Sequence, residues 1–354
     1  MPVPETETRT ASAPVATDST VEADGSGEQW KLRRGGRLAY WAAIAPLAAM
    51  LPAGLSYRVA CAWGDLTYRL LPDRPAELEH LRRLREALGA ELIPEDVETF
   101  ARDFWRFRAC EVMDLMKLRG RARPLAKLVE LRGIEHLEQA LEQGRGAILC
   151  SAHFGSYLGA FSLIHTSGFP LTNIGRWDWN YHRSELSAFE RRFWDLAYAR
   201  RVLRHRQQPN LEPWQGRNQV AVQAAAALHR NEVVTLCSDP APIAADRARA
   251  VEAPFLGRRA TLVPGVVTLA ELTGAPLLMA FCHRLDDYRH QVLEISPPIP
   301  IDGDADAAFE RCVAAMDAAI RAHPREWYFW FQRDELEGLG LLPAGNPSDR
   351  RHRQ

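Results

Sequence analysis

The stretch AILCSAHFGSYLGAF, residues 147–161, carries the most informative pattern in the chain. Its apolar run from Ala147 to Cys150 is typical of a buried strand, and small residues then lead to His153. A strand that ends in this way delivers the histidine to the open edge of a sheet, where α/β proteins bind their ligands. No aspartate or glutamate follows within the next turn, so the local sequence leaves open which residue orients the imidazole.

Short apolar runs and amphipathic segments alternate along the rest of the chain. The apolar runs predict strands at 146–152, 171–175, 232–238 and 276–283. Apolar residues at helical spacing predict helices at 76–88, 94–118, 134–143, 184–201, 218–230, 263–273 and around 309–320. Strands that alternate with helices indicate an α/β fold, in which helices cover both faces of a central sheet.

The composition argues against several classes of function. Lys and Arg number 44 and Asp and Glu 45 in 354 residues, so no bulk positive field favours nucleic acid as a partner. The six cysteines form no C-x-x-C pair, which argues against a zinc site or a disulfide framework and favours a reducing compartment. The chain also lacks a G-x-S-x-G elbow, a complete dinucleotide fingerprint, a P-loop and an H-E-x-x-H motif. We therefore expect no metal and no cofactor.

The N-terminal part divides into two regions by composition. Residues 1–29 are rich in small, polar and acidic residues and predict a disordered tail. Residues 30–75 begin with basic residues and continue into an apolar stretch, 38–57, which prolines interrupt. This stretch is either a buried helical hairpin or a segment that lies in the bilayer with its arginines at the cytoplasmic side. We favour membrane association, as a peripheral or a single-span protein.

Four segments of the chain resemble the bacterial lauroyl/myristoyl acyltransferases of lipid A biosynthesis, whose relatives include the phosphatidylinositol mannoside acyltransferases. In that family a strand ends in H-F-G-N-W-[E/D] and a later strand ends in an acid. A V-P-F-F-G loop, a T-G-A-P strand entry and a C-terminal P-E-Q-W motif follow. The similar segments here are 133–161, 231–242, 252–287 and 323–333, in the same order and with similar spacing.

The resemblance runs from about residue 37 to about residue 335. It implies a lysophospholipid acyltransferase-like fold, with a mixed central sheet flanked by helices. We assign residues 76–337 to the acyltransferase domain and residues 338–354 to a flexible C-terminal tail.

The resemblance implies that His153 is the catalytic base. Acyl transfer from a thioester requires that a base take the proton of the attacking hydroxyl or amine. Imidazole, with a reference pKa of about 6.5, suits that task near neutral pH. Its second nitrogen needs an acceptor that fixes the tautomer and stabilises the imidazolium.

The chain departs from the family at the position of that acceptor. The family's acid lies five residues after the histidine, where this chain has Leu158, and leucine accepts no hydrogen bond. Asp239 follows the predicted strand 232–238, and adjacent parallel strands would bring it beside His153. The alternatives are that Asp239 is a turn residue before Pro240, or that the dyad is lost and the protein binds without catalysing.

Six further residues are candidates for substrate binding: Gly155, Ser156, Phe255, Gly257, Arg258 and Arg284. The amide of Gly155 or Ser156 could hold the oxyanion, and glycine lets the backbone approach the thioester. For each of the other four residues, both a role in substrate binding and a purely structural role are possible.

Phe255, Gly257 and Arg258 match the family loop on the acceptor side of the site, or they form a simple turn. Arg284 either contacts phosphate or pairs with Asp286. The arginines at 200–206 either receive an acidic acyl-carrier protein or acyl-CoA phosphates, or form a solvated helix end.

The resemblance implies transfer of a fatty acyl group from acyl-CoA or acyl-carrier protein to a hydroxyl or amine of a lipid or glycolipid. The reaction would take place at the cytoplasmic face of the membrane. The altered motif around His153 allows two alternatives, a small acceptor of secondary metabolism or a catalytically silent lipid-binding relative.

Overall fold

A computed structural model describes residue 36 and residues 39–71, 73–117, 123–175, 210–211, 217–242 and 246–343. Several predictions lie outside the described residues. They concern the tail 1–29, the basic residues at 31–35 and 37, the helix 184–201 and the arginines at 200–206.

The described residues form a seven-stranded central sheet in the order β1-β9-β8-β2-β5-β3-β4. Its strands are Val129–Arg132 (β1), Ala147–Ser151 (β2), Leu171–Ile174 (β3), Asn210–Leu211 (β4), Val233–Cys237 (β5), Leu277–Arg284 (β8) and Gln291–Ile295 (β9). Only β8 and β9 pair antiparallel, so the sheet is mixed, as the resemblance implies. All four strands predicted from apolar runs are confirmed, as β2, β3, β5 and β8. A separate antiparallel hairpin is formed by Val251–Phe255 (β6) and Arg258–Leu262 (β7).

The helices cover the sheet on both faces. They are Ala45–Ala48 (α1), Ala53–Arg69 (α2), Arg74–Leu88 (α3), Val97–Lys117 (α4), Arg123–Ala126 (α5), Ile134–Glu142 (α6), Tyr157–Thr166 (α7), Arg217–His229 (α8), Gly265–Thr273 (α9), Ala305–Ala322 (α10) and Arg333–Gly338 (α11). Alternate residues of β2 enter two different apolar clusters: Ile148 and Cys150 lie in one, Ala147 and Leu149 in the other. The α/β fold predicted from the sequence is therefore confirmed.

The apolar stretch 38–57 is broken in the structure. A π-helical turn, Tyr40–Ile44, runs into α1, and Pro52 then caps the start of α2. Within the ranges that the structure describes, no helix combines the length and the apolarity needed to cross a membrane.

The N-terminal helices bury one side and expose the other. Tyr57 and Ala60 of α2 are buried with residues of α4, as expected for a helical hairpin. The opposite side exposes an apolar corner, 38–73% accessible, which consists of Leu47, Met50, Leu51 and Leu55.

The end of the described chain packs onto the domain. Leu339 and Leu341 are fully buried in the main apolar cluster. The rest of the proposed C-terminal tail, residues 344–354, lies outside the described residues, and the domain boundaries stay predictions.

The contact between α2 and α4 depends on a residue without a side chain. A Cβ added to Gly64 would lie 2.5 Å from the Cα of Arg106. We expect Gly64→Ala to lower the free energy of unfolding by about 1–3 kcal/mol, because the two helices would have to move apart. Gly265→Ala is the matched control: Gly265 is also helical, and nothing lies within 4 Å of an added Cβ. Urea unfolding of both variants checks this, and equal midpoints would contradict it.

Candidate active site

Two adjacent parallel strands bring His153 and Asp239 together. In the pairing of β2 with β5, Ser151 lies opposite Cys237. His153 and Asp239 each follow two residues later, at the same edge of the sheet. The prediction that adjacent strand ends place these side chains side by side is therefore confirmed.

The Asp239 carboxylate is the centre of a compact hydrogen-bond network. Nδ1 of His153 lies 2.8 Å from Oδ1 of Asp239, and the backbone N–H of His153 donates to both carboxylate oxygens at 2.9 and 2.8 Å. The indole Nε1–H of Trp327 donates to Oδ2 at 2.9 Å. Asp239 is fully buried, whereas 27% of the His153 side chain is exposed. With Nδ1 as the donor to the carboxylate, the lone pair that can accept a proton is on Nε2.

Aromatic residues enclose the imidazole. The rings of Phe329 and Tyr157 lie 5.0 and 5.3 Å from it, centroid to centroid. Tyr328 contacts the same turn twice: its backbone N–H donates to the carbonyl of His153 at 2.9 Å, and its hydroxyl donates to the carbonyl of Gly155 at 3.2 Å. Sequence analysis missed Trp327, Tyr328 and Phe329 as site residues. The aromatic run at 327–331 was the available signal.

Leu158 takes no part in this network. It lies in the first turn of α7 and packs, partly buried, against the second apolar cluster. The position where the family has its acid is thus used for packing in this chain.

A second buried carboxylate lies beneath the same turn. Asp114 of α4 is fully buried and accepts hydrogen bonds from the Tyr57 hydroxyl, from Ser156 Oγ at 2.6 Å and from Gln291 Nε2 at 3.0 Å. The guanidinium of Arg284 pairs with the same carboxylate and is 1% exposed. Charge on Asp114 is therefore balanced inside the protein.

This arrangement corrects two predictions. Arg284 does not reach substrate phosphate and does not pair with Asp286, because its guanidinium is buried against Asp114. The residue that pairs with Asp286 is Arg325, at 3.2 Å. The side chain of Ser156 is likewise bonded to Asp114 and buried, so it does not line an open substrate site.

The predicted oxyanion donors are also occupied. The backbone N–H of Gly155 donates to the carbonyl of Glu326 at 3.0 Å, and that of Ser156 donates to the carbonyl of Cys282 at 3.2 Å. Neither amide is therefore available to an oxyanion in this arrangement. Gly155 is required for a different reason: its φ is 59°, and an added Cβ would lie 1.6 Å from the carbonyl oxygen of Cys282.

Of the three candidate site residues in the β6–β7 hairpin, one is buried at the site and two are exposed at the surface. Phe255 is buried, and its ring packs 5.9 Å from that of Trp327, on the network of Asp239. Gly257 forms the exposed turn, with φ 78°, and the exposed Arg258 donates to the carbonyl of Ala87 at the end of α3. The structure thus brings Phe255, but neither Gly257 nor Arg258, into contact with the site.

Glu111 is a buried acid near the imidazole that sequence analysis missed. Burial raises its pKa to about 7, and the neighbouring Arg108, whose guanidinium lies 2.8 Å from its carboxylate, works in the opposite direction. The guanidinium carbon of Arg108 also lies 3.9 Å from the ring centroid of Tyr328. Glu111 is mid-helix, one turn before Asp114, in a segment that the sequence predicts only as amphipathic.

Cys237 adds a thiol beside the dyad. Burial, followed by the charge of Asp239, raises its pKa well above the usual value, so the thiol is protonated and is a poor nucleophile. Within the described residues, His153, Cys237 and Asp239 form one group whose potential metal ligands all lie within 4.8 Å of one another.

An imidazole oriented by a buried carboxylate at the edge of an α/β sheet is typical of enzymes that use histidine as a general base. Residues 37–334 match the bacterial lipid A biosynthesis acyltransferases, and the chain belongs to this family. A lipid A biosynthesis acyltransferase of Haemophilus influenzae is 23% identical over 207 residues. The match covers 58% of this chain and 58% of that protein, so the chain spans less than two thirds of that relative. The family resemblance seen in the sequence is confirmed.

The buried pair of Arg284 and Asp114 gives a test of its role. We expect Arg284→Met to lower the free energy of unfolding by about 3 kcal/mol, because it leaves the Asp114 charge buried without its counter-ion. Arg132→Met is the matched control: Arg132 pairs with Glu130 and Glu294 at the surface, where water screens the charges, so its loss should leave the unfolding midpoint nearly unchanged. Thermal or urea unfolding checks both variants. A normally stable Arg284→Met protein with a raised KM for the acyl donor would instead support contact with phosphate.

Proposed function

We propose that this protein transfers a fatty acyl group from a thioester donor, acyl-CoA or acyl-carrier protein, to a hydroxyl or amine of a lipid or glycolipid. The observation that carries this proposal is the 2.8 Å contact between His153 Nδ1 and Asp239 within a member of an acyltransferase family. The same contact argues against a catalytically silent relative, because the dyad is complete without an acid at Leu158.

The proposed reaction uses each member of the network. Nε2 of His153 takes the proton from the acceptor hydroxyl while the acceptor oxygen bonds to the thioester carbonyl carbon. The carbon–sulfur bond then breaks, and the imidazolium returns the proton to the departing thiolate. Asp239 stabilises the imidazolium by charge, and Trp327 together with the backbone N–H of His153 holds the carboxylate in place.

We further propose that the protein binds the cytoplasmic face of the membrane peripherally, through the apolar corner. Leu47, Met50, Leu51 and Leu55 are all exposed and lie close together in the sequence, on α1, α2 and the turn between them. Exposed neighbouring apolar residues of this kind mark surfaces that bind a membrane or another protein. The six free cysteines fit a reducing compartment.

The dyad gives the first test of the function. We expect His153→Ala and Asp239→Asn each to lower acyl transfer by about 10² or more, because one removes the base and the other removes the charge that stabilises it. Transfer from acyl-CoA and from acyl-carrier protein to membrane lipid, followed by mass spectrometry, checks this.

Two controls separate this role from a general loss of structure. Asp286→Asn changes a fully exposed aspartate and should leave the rate unchanged. Leu158→Glu should also leave it nearly unchanged, because the histidine already has a partner. If instead the wild-type rate is low and Leu158→Glu raises it strongly, Asp239 does not fill the role proposed for it. Wild-type protein without transfer from any donor would support a silent relative.

The membrane proposal has its own test. A triple variant, Leu47→Ser, Met50→Ser and Leu55→Ser, should bind vesicles of phosphatidylethanolamine and phosphatidylglycerol about tenfold more weakly or worse, because three apolar side chains no longer enter the bilayer. The matched control changes three exposed apolar residues elsewhere, Val222, Leu272 and Leu285, to Ser. Co-sedimentation measures both variants, and equal losses would contradict a specific membrane surface.

A further inference from the structure

Cys237 lies in the active site, but the proposed reaction does not use it. It is the last residue of β5, two residues before Asp239. Its Sγ, a ring nitrogen of His153 and a carboxylate oxygen of Asp239 lie within 4.8 Å of one another. Nδ1 of His153 is the ring nitrogen that lies 2.8 Å from Oδ1 of Asp239. Sulfur, imidazole nitrogen and carboxylate oxygen are the three ligand types that proteins use for zinc.

We propose that this group is an inhibitory zinc site, in which one Zn²⁺ bridges His153, Cys237 and Asp239. With Zn–S near 2.3 Å and Zn–N near 2.0 Å, a tetrahedral ion holds its sulfur and nitrogen ligands about 3.5 Å apart. The three atoms are already within 4.8 Å, so side-chain movements of about 1 Å complete the site. Three protein ligands and one water molecule match the ligand number of open zinc sites.

The remaining contacts of Asp239 support this geometry. The backbone N–H of His153 and the indole N–H of Trp327 keep the carboxylate in place when the imidazole bond is exchanged for a metal bond. Such outer hydrogen bonds orient metal-binding carboxylates in proteins.

Zinc bound to Nδ1 would block the base because it places the imidazole proton on Nε2, the nitrogen that must accept a proton in the reaction. The ion takes the place on Nδ1 that a proton holds in the dyad, and that proton is then carried on Nε2 of His153. The Cys237 thiol releases its own proton to solvent and binds as thiolate, so one proton leaves for each ion bound. Nε2 then has no lone pair for the acceptor's proton. The inhibition rests on the proposed function, whereas the binding does not.

The binding test uses the full chain, freed of metal by a chelator. Equilibrium dialysis against Zn²⁺ should give one ion per chain. Cys237→Ala should weaken that binding about 100-fold or more, because loss of a direct ligand costs more affinity than loss of a residue that only hydrogen-bonds to a ligand. Cys312→Ala, which removes a buried cysteine outside the group, should bind like wild type. Co²⁺ should give a thiolate charge-transfer band in wild type that Cys237→Ala lacks. Equal zinc affinity of wild type and Cys237→Ala would overturn the proposal.

The inhibition test compares each protein with and without zinc. Micromolar Zn²⁺ should lower wild-type transfer by about tenfold or more and a chelator should restore it, whereas the same ratio for Cys237→Ala should stay near one. Mg²⁺, which prefers oxygen ligands, should not inhibit. If wild type transfers no acyl group at all, the proposed function fails and dialysis alone decides on the zinc site. Inhibition of equal depth in both proteins would contradict this site.

Discussion

The burial of the Asp239 carboxylate is the constraint on which the rest of the site depends. A charge taken out of water is tolerated only where hydrogen-bond donors surround it. Here the donors come from His153, twice, and from Trp327, so one buried group connects the ends of β2 and β5 with the C-terminal aromatic run. The orientation of the imidazole and the position of the C-terminal segment are therefore two consequences of one requirement.

Asp114 is a second buried carboxylate surrounded by donors, and it bonds the other end of the turn at 153–156. The turn is held at its start by the bond from His153 to Asp239 and at its end by the bond from Ser156 to Asp114. Between them, the amide of Gly155 bonds the backbone of the C-terminal segment. Asp114 also accepts a hydrogen bond from the hydroxyl of Tyr57, so α2, which contributes Leu55 to the apolar corner, is bonded to the carboxylate that fixes the active-site turn. A turn held at both ends is preorganised, which is what a general base requires.

The sequence predicted the parts of this structure that depend on local pattern. Apolar runs predicted β2 and β5, and their parallel pairing brought His153 and Asp239 to one edge. Pairing across the fold could not be predicted in this way: Arg284 and Asp114 are 170 positions apart, and Asp114 lies in a helix whose pattern gives no sign that an acid is buried. The position of Gly155 and Ser156 after β2 predicts that their amides bind an oxyanion, but both amides bond to backbone carbonyls that are distant in the sequence, at Glu326 and Cys282.

An orienting acid on a neighbouring strand makes the site depend on the sheet. An acid at position 158 would be placed by the first turn of α7, close in sequence to the histidine. Asp239 instead depends on the register that sets Ser151 opposite Cys237, and a slip of one residue would turn its side chain to the other face. Ile148 and Leu149 pack into apolar clusters on opposite faces, which fixes that register. The packing of both faces of β2 therefore positions Asp239 beside His153, as the first helical turn would position an acid at 158. Leu158 itself packs against one of those clusters.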